Sequence, residues 1–383
     1  MDRKNLAALP SWRLAALLLL PAGPALAQGA VPIPGSERYT ILSSTNGVEY
    51  QIDVALPSGY GKTDKRYPAF YVLDGNLAFA SLADAYRDLR IDGSIPELIL
   101  VGIGYAEDDP AVYTPSYHAS RSRDYTPTDV ETAIPGSGKG RAFLTFIKDE
   151  LIPFVDRRWR TDPKDRGLGG HSLGGLFTTY TLLTEPSLFN RYWIGSPSLW
   201  WDKEVSFSWV KPALERADKP NGRAFLTVGG LETDLMVSPM RRMAARLAAS
   251  FPALETNSIV FPDETHMSVP GGSISRALRV LYGKKAIPLG AAQMAEYAGR
   301  WKSASGETMP IAVVGNRLVT TVTPYGATVK VDLSAESKDH LFSKQFNMDL
   351  VFERDPSGRV VRLRRMFTGQ EVLFEKDAKV VRR

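Results

Sequence analysis

Apolar residues come in short runs over the first three quarters of the chain, each run bounded by glycine, proline or polar residues. Positions 38–56 alternate apolar and polar, which predicts two strands, 39–43 and 48–56, joined at Asn46-Gly47. Positions 69–73 and 98–101 are continuous apolar runs, as in strands buried on both faces, and a helical pattern follows the first through about Arg90. The same alternation continues with a short strand over 165–169, then strands at 191–195, 224–228 and 258–261, and helices over 240–251 and 274–281. A further helical pattern covers 141–159, where Pro153 marks a kink or boundary. Strands alternating with helices predict an α/β fold with a mostly parallel, doubly wound sheet. Beyond about Ile287 the period changes to short strands at 318–322, 328–333, 348–353, 360–366 and 371–374, which predicts a small C-terminal antiparallel β domain. Positions 105–138, rich in Tyr, Pro, Arg, Asp and Ser, fit neither pattern and are expected to form an ordered rim of a site.

Composition narrows the possibilities. The 383 residues suffice for an α/β domain over 28–286 and a β domain over 287–383, following a leader over 1–27. That leader places Arg3, Lys4 and Arg13 around the start of an apolar run, 14–20, and ends in Ala25-Leu26-Ala27. Charged start, short apolar core and small-residue end predict a cleavable secretory signal cut near Ala27, and hence a periplasmic or secreted protein. The run is far shorter than the roughly 20 residues a membrane span needs. The net charge of +5 lies in the leader and the tail, since 28–286 carries 29 Lys/Arg against 30 Asp/Glu. A nucleic-acid partner is therefore not expected. The absence of cysteine excludes disulfides, thiolate nucleophiles and Cys-type metal sites.

The candidate chemistry centres on Gly170-His171-Ser172-Leu173-Gly174-Gly175, between a predicted strand and the apolar helical run 176–183. A Gly-x-Ser-x-Gly in that setting is the nucleophile elbow of the α/β-hydrolases, in which a strained turn lifts the serine hydroxyl above the sheet edge. A chain of this composition shows the bare motif by chance about 0.1 times, so its partners must decide. A serine nucleophile needs a base, and the chain has four histidines. His118 precedes the elbow, His171 adjoins the nucleophile on the turn, and His340 lies in the β domain. His266, just past the last parallel strand, is left as the base. The orienting acid should follow the 224–228 strand, where Glu232 is preferred for its nearness to the strand end and Asp234 is the alternative. The oxyanion hole is expected to use the Leu173 N–H together with one from Asn76 or a neighbour in the loop Asp74-Gly75-Asn76-Leu77.

These residues resemble the esterase D-type α/β-hydrolases and, within them, the bacterial periplasmic siderophore esterases that act on enterobactin-type trilactones. The resemblance rests on Tyr71-Val72-Leu73-Asp74-Gly75-Asn76, Arg123-Asp124-Tyr125-Thr126-Pro127, Asp149-Glu150-Leu151-Ile152-Pro153-Phe154-Val155, the elbow, Ser196 to Trp201, Gly229 to Glu232 and His266. It implies a serine–histidine mechanism through an acyl-enzyme, with Glu232 as the acid and no metal or organic cofactor. It also implies Arg123 beside the site, docking an anionic acyl group or a catecholate, unless Arg123 only pairs with Asp124. Trp200 and Trp201 would form an aromatic wall, unless they are core. The substrate it implies is a small-molecule ester, such as a siderophore trilactone; general carboxylic, feruloyl or acetyl esters and acyl transfer stay open. Outside the enzymes, the alternative is a ligand-binding protein that has lost catalysis. Tyr297-Ala298-Gly299-Arg300-Trp301 and Val351 to Val360 loosely resemble the lipocalin-like β domain appended to some serine hydrolases.

Overall fold

Buried apolar runs become the strands of one sheet. The computed structural model describes residues 32–377 apart from 92, 107–113, 131–133, 324, 325 and 368, so the leader lies outside the described residues. β1 (Ser36–Leu42) and β2 (Glu49–Ala55) pair antiparallel, with Leu42 opposite Glu49 and Gly47 at φ 71° in the turn. β3 (Tyr67–Leu73), α1 (Gly75–Ile91) and β4 (Ile99–Tyr105) follow. Every residue of β4 is buried, because helices cover both faces of the sheet there. β5 (Thr161–His171), β6 (Arg191–Gly195), β7 (Gly222–Gly229) and β8 (Leu254–Phe261) complete eight strands in the order β1-β2-β4-β3-β5-β6-β7-β8. From β4 to β8 along that order all neighbours are parallel. Their C-terminal ends therefore lie along one edge, where open parallel sheets form their sites.

Helices fill the connections, and two differ from expectation. α2 (Pro115–Tyr125) occupies part of the stretch read as irregular. Its start is locally encoded, since Thr114 Oγ1 accepts the Tyr117 N–H and Pro115 sits in the first turn, but the polar composition hid it. α3 (Gly140–Phe146) passes through a π turn, Ile147–Leu151, into α4 (Ile152–Arg158). Pro153 brings no N–H to the carbonyl one turn back, so the irregularity expected there takes the form of the wider turn just ahead of it. α5 (Leu173–Thr184) follows β5; a short segment α6 (Trp201–Glu204) and α7 (Val210–Glu215) follow β6; α8 (Asp234–Ser250) and α9 (Val269–Tyr282) follow β7 and β8.

After α10 (Ala291–Tyr297) come β9 (Gly299–Ser303), β10 (Thr308–Val314), β11 (Arg317–Val322), β12 (Val329–Ser337), β13 (His340–Phe342), β14 (Met348–Arg354), β15 (Val360–Phe367) and β16 (Gln370–Lys376). They close into an antiparallel barrel, β16 pairing back with β9. β9, β10 and β13 exceed the five strands predicted. β9 opens on a glycine, β10 carries Pro310 and β13 has three residues, so none shows a clear alternation. Trp301, Leu318, Val331, Leu350, Leu363 and Phe374 belong to its buried core. The barrel is tied to the rest by a bridge between Ile287 and Ala335 and by the ion pair of Lys284 with Asp349. Among the described residues no helix is long and apolar enough to cross a membrane.

Candidate active site

Ser172 stands between the end of β5 and the first turn of α5, at φ 61° and ψ −119°. Such a backbone costs about 1–3 kcal/mol in a non-glycine residue and persists only where its surroundings enforce it. The Ser172 N–H donates to the Gly195 carbonyl at 2.9 Å, and the Ser172 carbonyl accepts from the Ser198 N–H at 3.1 Å. A Cβ on Gly170 would stand 2.5 Å from the Gly174 carbonyl oxygen, and one on Gly175 would stand 2.6 Å from that of Gly195. The tight approach is therefore made at Gly170 and Gly175, whereas a Cβ on Gly174 would meet nothing closer than 3.5 Å.

Glu232 lies in the loop between β7 and α8, its side chain almost fully buried. Its Oε2 is 2.6 Å from His266 Nδ1, while Oε1 accepts from Ser196 Oγ at 2.6 Å and from the Gly229 N–H at 2.8 Å. The Nδ1 bond favours the tautomer whose Nε2 lone pair is open to a proton. Asp234 is instead the exposed first residue of α8. Burial by itself would raise the Glu232 carboxyl, but the hydrogen bonds from His266, Ser196 and Gly229 outweigh it and hold its pKa below the ordinary value. A carboxylate so lowered contributes stability above its unfolded pKa, and this is lost as pH falls through the lower, folded one. Glu232→Gln is expected to lower kcat by about 10³–10⁴-fold, and Asp234→Ala by less than about twofold, in steady-state assays of the two variants. The reverse ranking would move the acid to Asp234.

Ser172 and His266 both line two cavities. One, of about 340 Å³, is bounded also by Ser198, Trp200, Leu231, Glu232, Thr233 and Met236. The other, of about 250 Å³, includes Asp74, Leu77, Arg121, His171, Met267 and Ile274 in its wall. Trp200 is thus at the site, while Trp201 is buried with its Nε1 on Thr128 Oγ1 at 3.1 Å. Leu173 opens α5 and Asn76 lies in the first turn of α1, so each brings a helix-start N–H. The Asn76 side chain is held by the Tyr105 main chain, with Oδ1 accepting at 2.7 Å and Nδ2 donating at 3.0 Å.

Arg123 departs from the docking role the resemblance implied. Its guanidinium grips Asp124 with two bonds of 2.8 Å, and it lines neither cavity. The arginine beside Ser172 is Arg121, which sequence reasoning passed over. Its Nε and a terminal nitrogen reach the buried Asp74 at 2.7 and 3.1 Å, and the latter nitrogen also donates to the His171 carbonyl at 3.3 Å. Asp74, at φ 56°, further accepts from the Tyr117 hydroxyl at 2.8 Å. Two residues at the end of β6 were missed in the same way. Ser196, at φ 34°, holds Glu232, and Ser198 Oγ is 3.4 Å from Ser172 Oγ. Their signal was positional, a serine pair just past the strand beside the elbow strand.

The other histidines stand apart from this chemistry. His171 packs on His266, ring centroids 4.5 Å apart, and burial pushes its pKa down to about 3, so it stays neutral. His118 lies on α2 and lines neither cavity. His340, on the barrel, forms with Glu336 and Asp349 a trio of potential metal ligands within 4.8 Å of one another. Asp349 is already paired with Lys284, which makes the trio part of the charge network between the barrel and the segment that follows α9. Among the described residues, none of the barrel lines either cavity at Ser172.

The Esterase family model matches residues 43–254, and the chain belongs to that family. Ferri-bacillibactin esterase BesA of Bacillus subtilis (strain 168) is 32% identical over 271 residues, covering 65% of this chain and 90% of the relative. The siderophore enterobactin esterase of Emericella nidulans is 35% identical over 192 residues, covering 44% and 61%. Among solved structures, the BES protein from Bacillus cereus superposes with a TM-score of 0.61 at 30% identity, covering 67% of this chain and 98% of that one. An IroE-like serine hydrolase from Shewanella oneidensis gives 0.57 at 25% identity, covering 64% and 80%. The fold is that of an α/β-hydrolase, and the chain is a serine ester hydrolase.

Proposed function

We propose that this ester hydrolase is exported and opens the ester bonds of a trilactone siderophore, with Ser172 as nucleophile, His266 as base and Glu232 as the acid that orients it. The carrying observation is the buried Glu232 carboxylate 2.6 Å from His266 Nδ1, on a histidine that shares two cavities with Ser172. Ser172 Oγ attacks the ester carbonyl carbon as its proton passes to His266 Nε2. The carbonyl electrons collect on oxygen, facing the first-turn N–H groups of α5 and α1. As the carbonyl re-forms, the bond to the alcohol oxygen breaks and His266 returns the proton to that oxygen. Water then repeats the sequence on the acyl-enzyme and frees the acid.

The trilactone reading draws on the relatives named for ferri-bacillibactin and enterobactin, and export draws on the leader's charged start and Ala25-Leu26-Ala27 end. Incubation with an enterobactin-type trilactone, followed by mass spectrometry, is expected to show products heavier by one water per opened ester. Rapid turnover of simple p-nitrophenyl esters with an intact trilactone would rule out the siderophore substrate and leave a general esterase.

A further inference from the structure

A separate cavity, of about 240 Å³, opens where the barrel meets the end of α9 away from the active site. Its wall comes from three segments: the second half of α9 with Lys284 just beyond it, the turn Gly93-Ser94 after α1, and the stretch from the end of β13 to the start of β14. The last two fit closely. Gly93 sits at φ 69°, and a Cβ there would stand 2.0 Å from Asn347 Oδ1, so glycine is what lets the barrel loop seat. No residue of this wall lines either cavity at Ser172. Arg279 follows Val269, the first residue of α9, by ten positions, which is about 15 Å of helix.

This wall is built of donors. Arg276, Arg279, Lys284 and Lys344 line it against one carboxylate, Asp349, which Lys284 and His340 already engage. Asp92, which precedes Gly93 in the chain, lies outside the described residues, and counting its charge still leaves four cations against two carboxylates. Among the described residues Arg276, Arg279 and Lys344 have neither an ion pair nor a side-chain hydrogen bond. Arg191 and Arg223, which bond the carbonyls at the same end of α9, pair with Asp165 and Glu255. A cation at a helix C-terminus complements the macrodipole, which accounts for Arg279 in the last turn. It does not account for Arg276 one turn earlier, or for Lys344 across the cavity on the barrel. Ser343 adds a neutral donor. It is only 7% exposed, and its Oγ accepts the N–H groups of Gln345 at 3.0 Å and Phe346 at 3.2 Å. Both lone pairs are thereby spent, and among the described residues the hydroxyl proton has no acceptor. A nearly buried donor without an acceptor, beside unpaired cations, calls for an anion. Phe342 and Phe346 give the same wall an apolar side.

We propose that this cavity binds a phosphate monoester with an apolar body, held between the α/β domain and the barrel. The guanidinium forks of Arg276 and Arg279, one turn apart on α9, take the phosphate from one side. Lys344 and the Ser343 hydroxyl take it from the other, and the body lies on Phe342 and Phe346. The site is independent of what Ser172 cleaves. Calorimetric titration of the full-length protein with phenyl phosphate, at low salt and a pH where the phosphate is a dianion, is expected to show one equivalent bound. Binding should weaken as salt rises, and KM for a p-nitrophenyl ester should not change. Arg279→Gln and Lys344→Gln, at exposed positions on opposite walls, are each expected to weaken binding by about tenfold. Benzoate, with the same ring and one charge, should bind about tenfold more weakly than phenyl phosphate. Vesicles containing phosphatidic acid identify the source of the phosphate. Vesicles bound without phenyl phosphate, and released by either substitution, make it a lipid headgroup; phenyl phosphate bound without vesicles makes it a soluble ester. Either result upholds the site. Binding of neither probe, affinity unmoved in both variants, benzoate bound as tightly, or a rise in KM that puts the probe at Ser172 overturns it.

Discussion

Ser172→Ala is expected to lower kcat on a p-nitrophenyl ester by on the order of 10⁴-fold or more, leaving only what the oxyanion donors and substrate binding supply. The substitution removes the atom proposed to form the acyl-enzyme and little else. Ser172 Oγ has one described hydrogen-bond partner, Ser198 Oγ at 3.4 Å, and such a weak contact contributes well under about 1 kcal/mol. Alanine keeps the Cβ and with it the cost of φ 61°, so the melting temperature should barely move. Ser172→Gly should be equally inactive yet more stable by roughly 1 kcal/mol, because glycine adopts that backbone without strain. Activity within tenfold of the parent in Ser172→Ala would dismiss Ser172 as nucleophile. A large fall in melting temperature would mean that inactivity came from lost structure.

Arg121→Met is expected to destabilise the protein by about 3–5 kcal/mol, the usual consequence of leaving one half of a buried ion pair alone. Both side chains of the Arg121–Asp74 pair are under 10% exposed. Asp74 would retain the Tyr117 hydroxyl but lose both guanidinium bonds. Activity should fall as well, for a geometric reason. Asp74 immediately precedes α1 and its first-turn N–H groups, and Arg121 also bonds the His171 carbonyl beside the nucleophile. The one guanidinium therefore links the loop ahead of α1 to the turn at Ser172, the two segments proposed to supply the oxyanion donors. Arg121→Met combined with Asp74→Asn should recover much of the stability, since no unpaired charge remains and asparagine tolerates the positive φ, but little of the activity. Urea unfolding and kcat on the three proteins separate these effects. A loss below about 1 kcal/mol in Arg121→Met would show that the pair does not hold the loop.

Much of this site could be read from the chain because its signals are local. A serine in a Gly-x-Ser-x-Gly between a short predicted strand and an apolar helical run points to strand, strained turn and helix within about twenty residues. Order along the chain then left one histidine past the last strand and a choice of two acids. The alternation of strands and helices determined the parallel sheet, because parallel neighbours need crossover connections of that length.

Tertiary packing decided what spacing leaves open. Glu232 and Asp234 are two residues apart at a strand end, but α8 begins at Asp234, so the helix carries that carboxylate outward while the preceding loop turns Glu232 onto His266. Arg121 and Arg123 lie two apart on one helix, about 200° around its axis, so they cannot face the same way. Which of them meets the site depends on where Asp74 and Asp124 are buried, and no local pattern records that. The barrel follows the same rule, since pairing β16 with β9 joins segments some seventy residues apart along the chain. The elbow at Ser172 is thus a property of the sequence; the walls around it, where Glu232, Asp74 and Arg121 are buried, are a property of the fold.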